Sequence, residues 1–382
     1  MWGTGASSTQ SEGAAPHSDW IEWEQSGHAP HSQNGNGFGT RYAEDFALLR
    51  DLGLVHYRLS IEWARIEPKQ GVHDQEAIRH YREMLIAANS AGIRPWVCLH
   101  HFTLPQWFAN LGGFLVDENR TSHWQRHVDF IANTFGDLVF GWQPVNETNY
   151  YPAAAYLGRG WSPGHNDIEE YRTVSQQMHL ATAEAAVRLR QTGKPVASIF
   201  GLSTLELLDD EPATLEFANR FYNANWNAGI GLFRDGVLRF ANREPIARPD
   251  LQGSFDLIGF SYYCAHGVRN GHIVPYPESN NPSLLGYSIW PDGLGLVLDR
   301  LHAELPNTPL LIAEYGIGTS DDSIRADYLR AGLDIAHDAI QRGIDIRGLF
   351  HWTAVDNYEW LRGFELQFGI INADRTIKPS AK

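Results

Sequence analysis

Two glutamates each close a strand-like apolar run. Glu147 ends Trp142-Gln143-Pro144-Val145-Asn146-Glu147, and Glu314 lies in Leu310-Leu311-Ile312-Ala313-Glu314-Tyr315-Gly316. Desolvating a carboxylate behind a buried strand is costly unless the group has a partner or a task. One such glutamate alone reads as a loop salt bridge. Two of them, in a chain that alternates strands and helices and with an asparagine directly before the first, point to paired carboxyl groups facing one pocket. Such a pair is the equipment for cleaving a glycosidic bond. A retaining enzyme needs one ionised carboxylate as nucleophile and one protonated carboxyl as acid, about 5–5.5 Å apart.

The elements that must position them are legible as a rhythm. Strand-like runs cover residues 55–61, 93–99, 138–145, 196–202, 255–263, 310–313 and 346–352, with a short first one at 2–6. Several are apolar on both faces, as strands of a covered parallel sheet should be. Helical spacing falls between them at 42–52, 77–91, 121–135, 169–191, 290–305 and 324–342. Gly53, Gly92, Gly193 and Gly343 follow four of these, where a helix would stop. Eight strands alternating with helices predict an α/β fold: a (β/α)8 TIM barrel forming one domain over residues 1–382, with enlarged loops at its C-terminal face. A doubly wound sheet would need a glycine-rich phosphate turn after an early strand, and Gly35-Asn36-Gly37-Phe38-Gly39 follows no strand. Residues 19–40 and 278–287 read as the long loops after strands one and six, on the rim where the site is built.

Composition narrows the partners. Of 382 residues, 43% are hydrophobic and 12% aromatic, enough for a sizeable core, and 13 tryptophans can stack on sugar faces or fill that core. The net charge of −15 argues against nucleic acid or an anionic membrane and suits a neutral substrate. No apolar run approaches the roughly 18 residues that span a bilayer. The N-terminus shows no basic segment followed by an apolar one, so a soluble, cytoplasmic protein is expected. Cys98 and Cys264 lie in apolar, strand-like runs and read as buried thiols, with neither a disulfide framework nor zinc spacing.

On such a barrel, polar residues at C-terminal strand ends converge on one mouth. These positions hold Gln10 after strand one, Arg58 in strand two, His100 and His101 after strand three, and Asn146 and Glu147 at strand four. Tyr262 and Tyr263 close strand six, Glu314 strand seven and Trp352 strand eight, with Glu359 and Trp360 just beyond. Arg58 near Glu314 would keep that group ionised, and Tyr263 could donate to it. Burial and repulsion from the ionised partner would keep Glu147 protonated. Asn146 could bind a sugar 2-hydroxyl, a contact that tightens in the transition state. Other readings stand beside these. Arg58 alone fits a structural ion pair with Glu62. His100 and His101 are metal-ligand types, but no third ligand at suitable spacing stands out, so neither metal nor other cofactor is expected. Trp352 and Trp360 fit core packing or a sugar platform equally well.

These residues resemble glycoside hydrolase family 1, the β-glucosidase and β-galactosidase family of retaining enzymes, over nearly the whole chain. The resemblance is carried by Trp2 through Gly13, by Tyr57-Arg58-Leu59-Ser60-Ile61-Glu62-Trp63, by Leu99-His100-His101-Phe102-Thr103-Leu104-Pro105, by Asp256 through Tyr263, and most specifically by Trp352 through Trp360 with Phe368-Gly369-Ile370. It implies that Glu147 is the acid/base and Glu314 the nucleophile. It also implies that Gln10 and His101 bind sugar hydroxyls and that Glu359 and Trp360 grip the distal hydroxyls. The chain departs from the family pattern at several places: Pro144-Val145-Asn146-Glu147-Thr148 stands for Thr-Phe-Asn-Glu-Pro, Ala313-Glu314-Tyr315-Gly316 for Thr-Glu-Asn-Gly, Phe102 for a Trp and Ser261 for an Asn. The implied activity is exo-acting hydrolysis of a small β-glycoside or oligosaccharide with glucose, galactose or fucose in the inner pocket. The Glu359 carboxylate would repel a 6-phosphate, so the sugar is expected to be unphosphorylated. A transglycosylating or aglycone-specific β-glycosidase, and a catalytically weak sugar-binding protein on the same scaffold, are the alternatives.

Overall fold

In a computed structural model, which describes residues 1–240, 242–279 and 283–382, the strand rhythm becomes a parallel eight-stranded sheet. Its strands are β1 (Trp2–Gly5), β2 (His56–Ser60), β3 (Arg94–His100), β4 (Gly141–Val145), β5 (Phe200–Gly201), β6 (Ile258–Tyr262), β7 (Leu310–Tyr315) and β8 (Ile346–Trp352). They follow the order β4-β3-β2-β1-β8-β7-β6-β5. The two edges meet: the Trp142 amide donates to Pro195 O at 2.9 Å, and the Ala197 amide donates to Trp142 O at 2.9 Å. The result is a closed (β/α)8 barrel.

Alternation along each strand makes two cores. Trp96, Ala197, Ile199, Leu257, Leu311, Ala313 and Phe350 fill the barrel interior. Their strand neighbours Val97, Ile258, Ile312 and Leu349 face outward into a larger layer shared with the surrounding helices. The six predicted helical patterns correspond to helices Phe38–Asp51, Gln75–Ser90, Gln125–Phe135, Ile168–Arg190, Asp292–Glu304 and Asp322–Gln341. Several begin on a capping aspartate. Asp74 accepts from the Glu76 amide at 2.8 Å and Asp167 from the Glu169 amide at 2.8 Å, which satisfies donors a helix start leaves open. All four predicted stop glycines have positive φ, between 73° and 96°.

The structure corrects some expectations. Residues 19–40 are not one loop. Asp19–Gln25 is a helix capped by the Ser18 hydroxyl, which accepts from the Ile21 amide at 3.2 Å, and Phe38 already belongs to the next helix. The predicted run 196–202 keeps ladder pairing only in part, with single bridges at Val196 and Ala197 before Phe200–Gly201. Of the predicted loop 278–287, residues 280–282 lie outside the described residues. Before it, strands Ala265–Arg269 and His272–Tyr276 form an antiparallel hairpin joined by Leu205–Leu207. Cys264 lies just past β6 and is only half-buried, whereas Cys98 is buried as expected. Among the described residues, no helix is long and apolar enough to cross a membrane.

Candidate active site

Glu314 occupies a position that simple alternation would turn away from the mouth. Leu311 and Ala313 point into the barrel, so the next residue should face the helices. The pairing of β7 with β6 shifts between Ile312 and Glu314, and its pairing with β8 shifts between Ile312 and Tyr315. This irregularity re-aims one side chain, as bulges beside active sites do. Glu314 therefore joins Ala313 on the inside while Tyr315 packs outward on Tyr328, ring centroids 4.5 Å apart.

The side chain of Glu314 is held at both oxygens. Arg58 donates to Oε1, and Tyr263 Oη donates to Oε2 at 2.5 Å. Arg58 also donates to Asn146 Oδ1 at 2.7 Å, so one fully buried guanidinium ties β2 to the ends of β4 and β7. It does not pair with Glu62, which instead accepts from Ser8 Oγ at 2.7 Å and Thr103 Oγ1 at 3.0 Å. The space for Arg58 comes from a glycine. Gly5 is the register partner of Arg58 on one side and of Trp352 on the other. A Cβ at Gly5 would stand 2.9 Å from Arg58 Nη2 and 3.3 Å from the Trp352 ring. Without it the guanidinium lies over that ring, 5.0 Å from its centroid, in cation–π geometry.

Glu147 faces the same space. Ser261 is the register partner of Glu314, and its hydroxyl donates to Glu147 Oε1. One residue of β6 therefore stands next to one carboxylate and bonds to the other. Burial first, and the neighbouring Glu314 second, push the Glu147 carboxyl up to about 8, with the Ser261 donor and Arg58 opposing. The backbone at Glu147 has φ 42°, and Phe102 and Trp360 at the same mouth have φ 73° and 51°. Non-glycine residues rarely adopt this region, and such outliers cluster at functional sites. Burial and the two carboxyls hold the Tyr263 phenol well above its usual range, so it stays a donor.

Of the remaining predicted residues, all but His100 and Tyr262 line this mouth. His101 turns inward. Its Nε2 is 3.5 Å from Asn146 Nδ2, and its ring lies parallel to Trp352 and Trp360 at 5.6 Å and 6.2 Å. Burial, then Arg58, keeps His101 neutral by lowering it well below its usual range, and its Nδ1 has no hydrogen-bond partner among the described residues. His100 points the other way, into Phe114, Trp124 and Tyr151. Gln10 is anchored through its Oε1 by the Ser7 hydroxyl at 2.8 Å, and its Nε2 makes no hydrogen bond of ordinary geometry among the described residues. Glu359 accepts from Trp352 Nε1 at 3.2 Å, and burial pushes its carboxyl up to about 8. Tyr262, by contrast, faces outward, where its hydroxyl donates to Trp290 O at 2.6 Å.

Sequence reasoning assigned no site role to Ser261, Tyr150 or Trp161. Ser261 is a hydroxyl inside an apolar strand, a signal that register alone turns into a contact. Trp161 sits in a loop after β4 and contacts Trp20 at 5.4 Å, Phe102 at 5.1 Å and Trp360 at 4.9 Å. It thereby completes an aromatic wall above the carboxyl pair.

Comparison with known proteins adds a lineage to this geometry. A model of Glycosyl hydrolase family 1 matches residues 1–382. The chain is 28% identical over 435 residues to a β-galactosidase of Saccharolobus solfataricus, covering 95% of this chain and 86% of that protein. It is 27% identical over 413 residues to β-glucosidase A of Thermotoga maritima, covering 98% and 92%. It is also 27% identical over 438 residues to a bifunctional β-D-glucosidase/β-D-fucosidase of Bifidobacterium breve, covering 98% and 93%. The solved structure of a β-glycosidase from Pyrococcus horikoshii matches with a TM-score of 0.91 at 29% identity, covering 100% of this chain and 92% of that one.

Proposed function

This chain belongs to glycosyl hydrolase family 1, and on that premise we propose that it is a retaining, exo-acting β-glycosidase with Glu314 as nucleophile and Glu147 as acid/base. One observation carries this assignment. Arg58 and Tyr263 secure both oxygens of Glu314, while Ser261, paired in register with Glu314, donates to Glu147. Two carboxyl groups with such different surroundings are suited to opposite proton states.

Glu314 attacks the anomeric carbon while Glu147 gives its proton to the leaving oxygen, forming a glycosyl ester on Glu314. Esterification removes the charge of Glu314. The repulsion that helps hold the proton on Glu147 disappears with it, so the same group can next take a proton from water. That water attacks the anomeric carbon from the face the aglycone left, and configuration is retained. Asn146, fixed through its Oδ1 by Arg58, presents its amide nitrogen to the sugar 2-hydroxyl. Gln10, His101, Glu359 and Trp360 bind the remaining hydroxyls, and Trp352 lies along the ring face.

Relatives named for glucosidase, galactosidase and fucosidase action support a glucose-, galactose- or fucose-configured inner sugar. An unphosphorylated one fits best. The groups that bear most on Glu359 are Trp352, Glu314, Gln10 and Asp356, none of them a cation, and Arg58 is committed to Glu314 and Asn146. A panel of nitrophenyl β-glycosides followed by proton NMR tests the reading. The β-anomer should form first, and Glu314→Gln should lower turnover about a thousandfold or more. First-formed α-anomer, or unchanged turnover in that variant, would overturn it.

A further inference from the structure

Above the aromatic wall, the rim of the mouth carries apolar side chains that stand partly exposed among the described residues. Tyr150 is 47% exposed, Leu361 40% and Phe364 45%. They are continuous with the site. The Tyr150 amide donates to Glu147 O at 2.8 Å, and its ring is 6.0 Å from Trp161. Phe364 stands 5.6 Å from Tyr358, which in turn contacts Trp360 at 6.3 Å. The loops after β4 and β8 meet here, for a Cβ built on Gly160 would lie 3.2 Å from Leu361 Cδ1.

Two arginines flank that junction, Arg159 beside Gly160 and Arg362 beside Leu361. Neither side chain has an ion-pair or hydrogen-bond partner among the described residues. This is unusual in a chain of net charge −15, where most other arginines of the described residues are ion-paired. Two exposed arginines, each next in sequence to a residue of that junction, give this apolar rim a chemistry complementary to a flat apolar group bearing an anion. Tyr150, bonded through its backbone to Glu147, puts this rim on the side of the group that protonates the departing oxygen.

Building on the proposed β-glycosidase activity, we propose that the preferred aglycone is aromatic and carries an anionic substituent, held by Arg159 and Arg362 against Tyr150, Trp161, Leu361 and Phe364. A second sugar, uncharged and polar, would leave both guanidinium groups and the exposed rings unmatched.

Two coumarin β-glucosides separate this from the parent reading. One carries a methyl group and the other a carboxymethyl group at the 4-position, remote from the glycosidic oxygen. The carboxylate substrate should show a kcat/KM roughly three- to tenfold higher at low salt, mostly through KM, the range expected of two exposed ion pairs. The advantage should vanish in Arg159→Gln/Arg362→Gln and in about 1 M salt, where the Debye length is about 3 Å. The methyl substrate should be turned over equally by wild type and variant. Calorimetry with the free carboxymethyl coumarin gives the same comparison without turnover. If both substrates are hydrolysed equally well, or the preference survives loss of both arginines, the aglycone assignment is overturned while the glycosidase reading stands. If neither is hydrolysed, nor the corresponding galactosides and fucosides, the glycosidase reading fails, and arginine-dependent binding of the coumarin acid alone still decides the rim.

Discussion

The chemistry turns on a proton held by one side chain. Glu147 is pushed up to about 8 by burial and by Glu314. It must be protonated to act as an acid, so kcat/KM should fall as pH rises through about 8. Glu359 is also pushed up to about 8, and the limb is assigned by substitution. Ser261→Ala removes a donor that favours the ionised form of Glu147. Its pKa should rise and the alkaline limb should move up, whereas Glu359→Gln should leave the limb in place. A pH–rate profile that responds only to Glu359→Gln would reverse this assignment. At this scale much of the site was legible. Glu147, Glu314, Arg58 and Tyr263 are polar groups closing apolar strands, and only a shared mouth explains all four. Ser261 was not, because its role depends on facing Glu314 across β6 and β7. That pairing follows from a register irregularity with no signature in composition or period.

Elements set where these groups stand. Gly5 lets β1 pass between Arg58 and Trp352. Gly5→Ala should displace the guanidinium and lower kcat/KM by about tenfold to a hundredfold, the scale of an ångström's misplacement, with a smaller effect on thermal stability. Equal loss of folding and activity would mean that Gly5 serves the barrel rather than the site. The helix Asp19–Gln25 carries a second prediction. Burial raises Asp19 from 3.8 to about 7, although its carboxyl accepts from the Leu104 amide at 2.8 Å. A raised carboxyl contributes stability that is complete below the unfolded value of 3.8 and lost as pH rises through about 7. Asp19→Asn keeps the acceptor without the charge, so the Tm difference between variant and wild type should grow in the variant's favour from about pH 4 to pH 7. A pH-independent difference would contradict it. This helix was missed because 19–40 is rich in glycine, serine and asparagine. Its Ser18 cap and short apolar face around Trp20 were too brief to set a period. The long helices, with several turns of apolar spacing and glycine stops, were read within a few residues.

Over the whole molecule, the barrel was the most legible feature, since strands apolar on both faces have few ways to be covered. The mouth was less so. Its upper wall comes from loops after β4 and β8, and the meeting of Trp161 with Trp360 has no counterpart in local sequence. The net charge of −15 sets the long-range field without specifying the site. For a neutral aryl β-glucoside, kcat/KM should therefore change less than about twofold between about 0.05 and 0.5 M salt. A steep salt dependence would mean that the field acts on the chemistry itself. The pairing of two carboxyl groups across this mouth is tested most directly by replacing each with glycine and supplying azide with an aryl β-glucoside of good leaving ability. In Glu314→Gly, azide takes the nucleophile's place from the opposite face, and the α-glycosyl azide is expected. In Glu147→Gly, the ester on Glu314 still forms and azide then displaces it, so the β-glycosyl azide is expected. The same azide from both variants, or the two products exchanged, would contradict the assignment of residues 314 and 147.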